Sequence, residues 1–135
     1  MITVLLADDH AMVRDGLRYI LEAAGDIQIV ATASNGKEAV AQAWAHSPNI
    51  AVIDISMPVM DGIEATKQIV EMCPETRIVT LSMYHTGDYV QRAVHAGARG
   101  YVLKDAAGNE LVEAVRSLYA GKRYFSPQVA KYYGG

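Results

Sequence analysis

The sequence predicts an α/β protein, a parallel sheet covered by helices, and three observations carry that prediction. An apolar, strand-like run followed by a helix-like periodic run recurs along the chain, roughly every 20–25 residues. The run Ile50-Ala51-Val52-Ile53 leads straight into Asp54, as in a strand buried on both faces that ends in a carboxylate. Finally, four of the five predicted strands finish in a polar or charged residue: Asp8-Asp9, Asp54, Ser82 and Lys104.

The elements follow in order. Thr3 to Ala7 is the first strand, and Asp8-Asp9-His10 ends it. Val13, Leu17, Ile20, Leu21 and Ala24 form the stripe of an amphipathic first helix, which Gly25 stops. Ile27 to Ala33 is the second strand. Ser34 or Asn35 caps the second helix, with Ala39, Val40, Ala43 and Trp44 on its inner face. Ser47-Pro48-Asn49 leads into the Asp54 strand. Asp61 caps a third helix carrying Ile63, Thr66, Ile69 and Val70, with Pro74 just past its end. Arg77 to Leu81 is the fourth strand, and the fourth helix carries Val90, Ala93 and Val94 up to Gly97. Arg99 to Leu103 is the fifth strand. The fifth helix holds Leu111, Val112, Val115, Leu118 and Tyr119 and closes at Gly121; Ala106-Ala107-Gly108 offers no good cap, so a weak start is expected. Residues 123–135 hold little that could pack. They read as a tail or as the start of a linker to a partner domain outside the chain, with Ser126-Pro127 as a helix cap and first position.

Composition narrows the function. The chain has 135 residues, enough for one domain with a real core. A net charge of −3 gives no electrostatic footprint for nucleic acid. The lone Cys73 excludes an internal disulfide and fits a reducing compartment. The apolar N-terminus lacks a basic start and a cleavage site, and no run is long enough for a bilayer. A cytoplasmic location is expected.

In open α/β sheets, ligands bind outside the carboxyl ends of the strands. Three carboxylates converging there repel one another, and a hard divalent cation relieves them. Mg²⁺ takes oxygen ligands and needs only one or two direct carboxylates. It also neutralises phosphoryl oxygens, for which Ser82 adds a donor and Lys104 a point charge. An aspartate can itself be the nucleophile, and Asp54, at the centre, is the best candidate for an aspartyl-phosphate. Each residue alone reads more simply: Asp61 as a cap, His10 as an exposed loop histidine without a second histidine or cysteine at ligand spacing, Tyr101 as a sheet residue facing the fourth helix. The set on one edge does not.

Together, Asp8-Asp9-His10, Asp54-Ile55-Ser56-Met57-Pro58, Asp61-Gly62, Leu81-Ser82 and Gly97-Ala98-Arg99-Gly100-Tyr101-Val102-Leu103-Lys104-Asp105 resemble the receiver domain of bacterial two-component response regulators. The detail is similar to the subfamily with a LuxR-type helix-turn-helix output. The resemblance covers roughly Thr3 to Lys122. It implies a flavodoxin-like, doubly wound, five-stranded sheet of order 2-1-3-4-5 with five helices, residues 1–122 forming the receiver. It implies that Asp54 accepts a phosphoryl group from a sensor histidine kinase. Asp9, Asp54 and the Ser56 carbonyl would hold Mg²⁺, with Asp8 acting through water. Ser82 and Lys104 would bind the phosphoryl oxygens, and Tyr101 would move inward with Ser82 as a switch. Homodimerisation on phosphorylation is a further implication. DNA would be reached only through an output domain absent from this chain, which is read as an excised receiver; no membrane partner is expected. Two other readings fit the fold. A metal-dependent phosphatase-like enzyme would often carry a second aspartate where Ser56 stands. A binding module would keep the fold but never be phosphorylated. A flavin or dinucleotide site would want a glycine-rich first turn, the opposite of Asp8-Asp9-His10.

Overall fold

The computed structural model describes residues 1–133. The strands are β1 (Ile2–Ala7), β2 (Ile27–Ala33), β3 (Ile50–Asp54), β4 (Arg77–Ser82), β5 (Gly100–Leu103) and β6 (Tyr124–Phe125). The helices are α1 (Ala11–Ala23), α2 (Gly36–His46), α3 (Gly62–Met72), α4 (Gly87–Ala96) and α5 (Ala107–Tyr119). All strands pair in parallel, in the order β2-β1-β3-β4-β5-β6. The period of two along each strand divides the core. Leu5, Ala51, Ile53, Ile78 and Tyr101 pack with α2, α3 and α4 on one face. Val4, Leu6, Val52, Val79 and Val102 pack with α1 and α5 on the other. Every residue of β3 is buried, as its unbroken apolar run requires. No helix among the described residues is long and apolar enough to cross a membrane.

The local signals resolve as follows. Asn35, not Ser34, caps α2, its side chain accepting from the Glu38 amide at 2.8 Å; Asp61 caps α3 at 2.9 Å. Gly25, Gly97 and Gly121 follow their helices with φ of 91°, 113° and 87°, which glycine alone adopts without strain. The start of α5 lacks a side-chain cap and is preceded by a 3-10 turn, Lys104–Ala106. Trp44 departs from expectation. It is 65% exposed, because α2 meets the sheet through a narrow stripe of Ala39 and Ala43 that the indole lies beyond. Val13 and Tyr119 are likewise exposed edges of their stripes.

The largest difference is the sixth strand. Tyr124 and Phe125, expected in a tail, pair with Gly100 and Tyr101 of β5. Two residues carry no periodicity, so the sequence offered no strand signal. Ser126 follows, fully buried. Its hydroxyl accepts from the Leu103 amide at 2.9 Å and donates to Glu110 Oε1 at 2.6 Å. With the hydroxyl so engaged, Ser126 starts no α-helix; its carbonyl closes a turn to Val129 and Ala130, and a 3-10 turn spans Ala130–Tyr132. Val129 is completely buried in the core on the α4 side. The final Gly134-Gly135 of the expected tail lies outside the described residues.

Glu110 also receives the Tyr124 hydroxyl at 3.1 Å. Burial and the neighbouring Glu110 charge push the Tyr124 phenol up to about 12. A folded pKa above the unfolded value of about 10 contributes stability that is complete below pH ~10 and lost as pH rises through ~12. Melting curves between these limits should therefore fall more steeply for wild type than for Tyr124→Phe. Parallel slopes would refute the coupling.

Candidate functional site

The parallel register brings the ends of β1, β3, β4 and β5 to one edge. Asp8 follows β1, wholly buried, its amide bonded to the Ala33 carbonyl at 3.0 Å. Arg14, one turn into α1, donates to the Asp8 carbonyl at 2.7 Å and holds the strand end in place. Asp8 Oδ1 accepts the His10 amide at 2.8 Å. Asp54 ends β3 and is 2% exposed. Its Oδ1 accepts from the Ser56 amide at 3.2 Å and its Oδ2 from Lys104 Nζ at 2.8 Å. The same Nζ lies 3.1 Å from Asp8 Oδ2. Lys104 reaches in from the turn after β5 and ties two strand ends together.

The charges do not balance. Asp8, Asp9, His10 and Asp54 each offer a ligand atom, and these lie within 4.8 Å of one another. Three carboxylates thus share one ammonium. Burial lifts the Asp54 carboxyl above its ordinary range; Lys104 opposes this and the Asp8 charge adds to it. Burial alone would lower the Lys104 ammonium, but its bonds to Asp54 and Asp8 hold it above its ordinary value. Asp8 Oδ2 is buried with the Lys104 ammonium 3.1 Å away, and the buried Asp9 Oδ1 accepts no hydrogen bond. Hard, under-satisfied carboxylate oxygens with excess negative charge fit a Mg²⁺-sized cation. His10 is exposed, as expected of a loop histidine, but its Nδ1 lies 3.2 Å from Asp9 Oδ1 and 3.5 Å from Asp8 Oδ1.

Ser82 ends β4, buried, one register position beyond Leu81, the partner of Asp54. Its Oγ accepts from the Tyr84 amide at 2.9 Å. Tyr101, completely buried among the residues under α4, donates its hydroxyl to the Tyr84 carbonyl at 2.7 Å. Ser82 and Tyr101 thus meet at the backbone of residue 84, whose ring stacks on Tyr89 at 3.9 Å between centroids. Ser56 is exposed, and Asp61 caps α3 as expected. A cavity of about 470 Å³ opens over the site, lined by His10, Val13, Met83, His85, Lys104 and Asp105.

Sequence reasoning overlooked three supports. Arg14 grips β1 through a carbonyl, a contact that no side-chain pattern announces. Gly62 and Gly36 pack so closely that an added Cβ would lie 2.1 Å from the Asp54 and Met60 carbonyl oxygens, respectively. They clamp the loop after Asp54 from both ends. The adjacency of Asp61-Gly62 to the Asp54 strand was the available clue.

Comparison with known proteins shows the family and the fold. Residues 4–116 match the response regulator receiver domain family. The chain is 40% identical over 127 residues to the oxygen regulatory protein NreC of Staphylococcus carnosus, covering 93% of this chain and 58% of that protein. It is 40% identical over 131 residues to the response regulator UvrY of Escherichia coli O6:H1, covering 97% and 60%. It therefore spans about 60% of the length of these curated relatives. Among solved structures, a LuxR-family two-component response regulator from Aurantimonas sp. SI85-9A1 aligns with a TM-score of 0.92 and 35% identity, over 98% of this chain and 94% of that one. The isolated REC domain of RcsB from Salmonella enterica, with phosphomimetic BeF₃⁻, aligns with a TM-score of 0.87 and 26% identity over 97% of each chain.

Proposed function

Because the chain belongs to the response regulator receiver domain family, we propose that Asp54 is its phosphoacceptor, charged by a sensor histidine kinase. The observation that carries this is the Asp54 carboxylate itself, buried at a strand end, bonded to Lys104 and clustered with Asp8, which shares that ammonium, and with Asp9, whose Oδ1 accepts no hydrogen bond. An Asp54 oxygen attacks the phosphorus of a phosphohistidine. A P–O bond forms as the P–N bond breaks, leaving an acyl phosphate and a free imidazole. Asp9, Asp54 and the Ser56 carbonyl would hold Mg²⁺ directly and Asp8 through water. When bound, the ion supplies charge neutralisation for the phosphoryl oxygens. Lys104 turns from the carboxylate to the new phosphoryl group. Ser82 Oγ accepts from Tyr84, which leaves its O–H to donate to a phosphoryl oxygen.

That donation pulls on the Tyr84 backbone, to which Tyr101 is also bonded. The inward ring seen here is the arrangement that phosphorylation would favour, a population shift between two states. The protein acts as a phosphorelay acceptor that assists its own phosphorylation and dephosphorylation, and not as an enzyme on a separate substrate. On this reading residues 1–122 are the receiver. Residues 123–135, of which Tyr124 and Phe125 pair with β5, open the connection to a DNA-binding output domain outside this chain. Phosphorylation controls homodimerisation and transcription from the cytoplasm.

Intact mass after incubation with acetyl phosphate and Mg²⁺ tests the assignment. Wild type should gain one phosphoryl group, and Asp54→Asn or a chelator should abolish the gain. An equal gain in both proteins would place the acceptor elsewhere. No gain in either would favour a silent binding module.

A further inference from the structure

We propose that Ser126 is a positioning residue for phosphoryl transfer to Asp54, its buried hydroxyl fixing the turn from which Lys104 reaches the acceptor. The inference rests on the reading of Asp54 as phosphoacceptor and Lys104 as its ammonium partner, and adds a residue from outside the strand-end cluster. Lys104 extends to Asp54 Oδ2 at 2.8 Å from the first position of the 3-10 turn Lys104–Ala106. Neither that turn nor α5 behind it has a side-chain cap. The placement of the turn is therefore set by what grips its two ends.

Ser126 grips both. β6 pairs with β5 at Gly100 and Tyr101, which leaves the outer edge of β5 open toward Leu103. The Ser126 amide donates to the Tyr101 carbonyl at 2.9 Å, and its Oγ accepts the Leu103 amide at 2.9 Å. Leu103 is the residue before Lys104. The same hydroxyl donates its proton to Glu110 Oε1 at 2.6 Å, in the first turn of α5. One hydroxyl thus joins the residue before the Lys104 turn to the helix after it. The Tyr124 hydroxyl, 3.1 Å from the same Glu110 oxygen, holds that carboxylate in place.

The chemistry calls for a hydroxyl. Ser126 is fully buried, and its side chain must accept from an N–H and donate to a carboxylate at once. Alanine does neither, and would leave the Leu103 amide without its partner. The segment would stay docked, since Val129 is completely buried and Tyr124 and Phe125 pair through their backbone. What is lost is the constraint on Lys104, whose long side chain magnifies a small tilt of its backbone. Misplacing a reacting group by about 1 Å can cost about 10²-fold in rate.

The test follows phosphoryl transfer from acetyl phosphate at saturating Mg²⁺ by intact mass over time, and Mg²⁺ affinity by calorimetry, on the whole chain. In Ser126→Ala, transfer should slow about tenfold while Mg²⁺ affinity weakens by less than about twofold, because the segment touches none of the ligands on β1 and β3. In a Lys104→Met background, Ser126→Ala should slow transfer by less than about twofold further. Transfer at the wild-type rate in the folded variant overturns the inference. So does a parallel loss of Mg²⁺ affinity, the mark of a purely structural role. A second tenfold loss on Lys104→Met also overturns it, since Ser126 would then not act through Lys104. Glu110→Ala removes the other end of the bridge from a half-buried position and should slow transfer in the same sense; it decides the matter if Ser126→Ala does not fold. A wild type that takes no phosphoryl group, or an Asp54→Asn that takes it equally, would instead remove the acceptor reading beneath the inference.

Discussion

Gly62→Ala is expected to destabilise the fold by about 3 kcal/mol or more and to disorder the Asp54 carboxylate with it. The added Cβ would lie 2.1 Å from the Asp54 carbonyl oxygen and 2.8 Å from Ile55 Cα. All of these are backbone atoms, so no side chain can swing aside. Nor can the loop retreat: the Gly62 amide donates to the Ile55 carbonyl at 2.8 Å, and the Ile55 amide to the Leu81 carbonyl at 2.9 Å. Relief must come from moving α3 off the end of β3. Gly16→Ala is the matched control. Gly16 lies inside α1 with nothing beyond its chain neighbours and its own helix backbone within 4 Å of the new methyl, and the same substitution there should stabilise by about 0.5–1 kcal/mol through helix propensity. Urea unfolding of both variants measures the contrast. A Gly62→Ala protein within about 1 kcal/mol of wild type would show that the loop can yield.

Lys104→Met should cost about 2–4 kcal/mol in the presence of a chelator, and most of that should return at saturating Mg²⁺. Asp8 and Asp54 are buried, and Lys104 Nζ is the cation within salt-bridge distance of both. Methionine keeps the stem's packing but leaves two carboxylates facing Asp9 with no ammonium between them. The Asp54 carboxyl, already lifted by burial, would rise further. A carboxyl whose folded pKa is raised favours the folded state at low pH and loses that advantage as pH rises through the folded value. The deficit should therefore be small near pH 4 and full at neutrality. Thermal melts at both pH values, with and without Mg²⁺, check the sign and the rescue. A deficit indifferent to pH and to Mg²⁺ would mean that the stem, and not the charge, is what Lys104 contributes.

Much of this was legible in the chain. Asp8, Asp9, Asp54, Ser82 and Lys104 each end an apolar run, and a parallel sheet has a single carboxyl edge, so their convergence follows from the strand pattern. The stops at Gly25, Gly97 and Gly121 and the uncapped start of α5 were equally local. Trp44 misled because a four-residue apolar stripe does not reveal how narrow the contact between α2 and the sheet is. The strand at Tyr124-Phe125 was invisible because its hydrogen bonds are supplied by β5, and two residues cannot show a period.

What the sequence determined by itself was the order of elements, the parallel sheet and the polar residue at each strand end, since these depend on periodicity and on chemistry local to a few residues. The tertiary structure alone decided that Ser126 is spent on Leu103 and Glu110, that Gly62 lies against the Asp54 carbonyl, and that His10 turns its ring toward the acids. Each of these is a contact between segments distant in sequence or a choice of side-chain direction. Such contacts exist only once close packing has set the distances, and no local pattern encodes them.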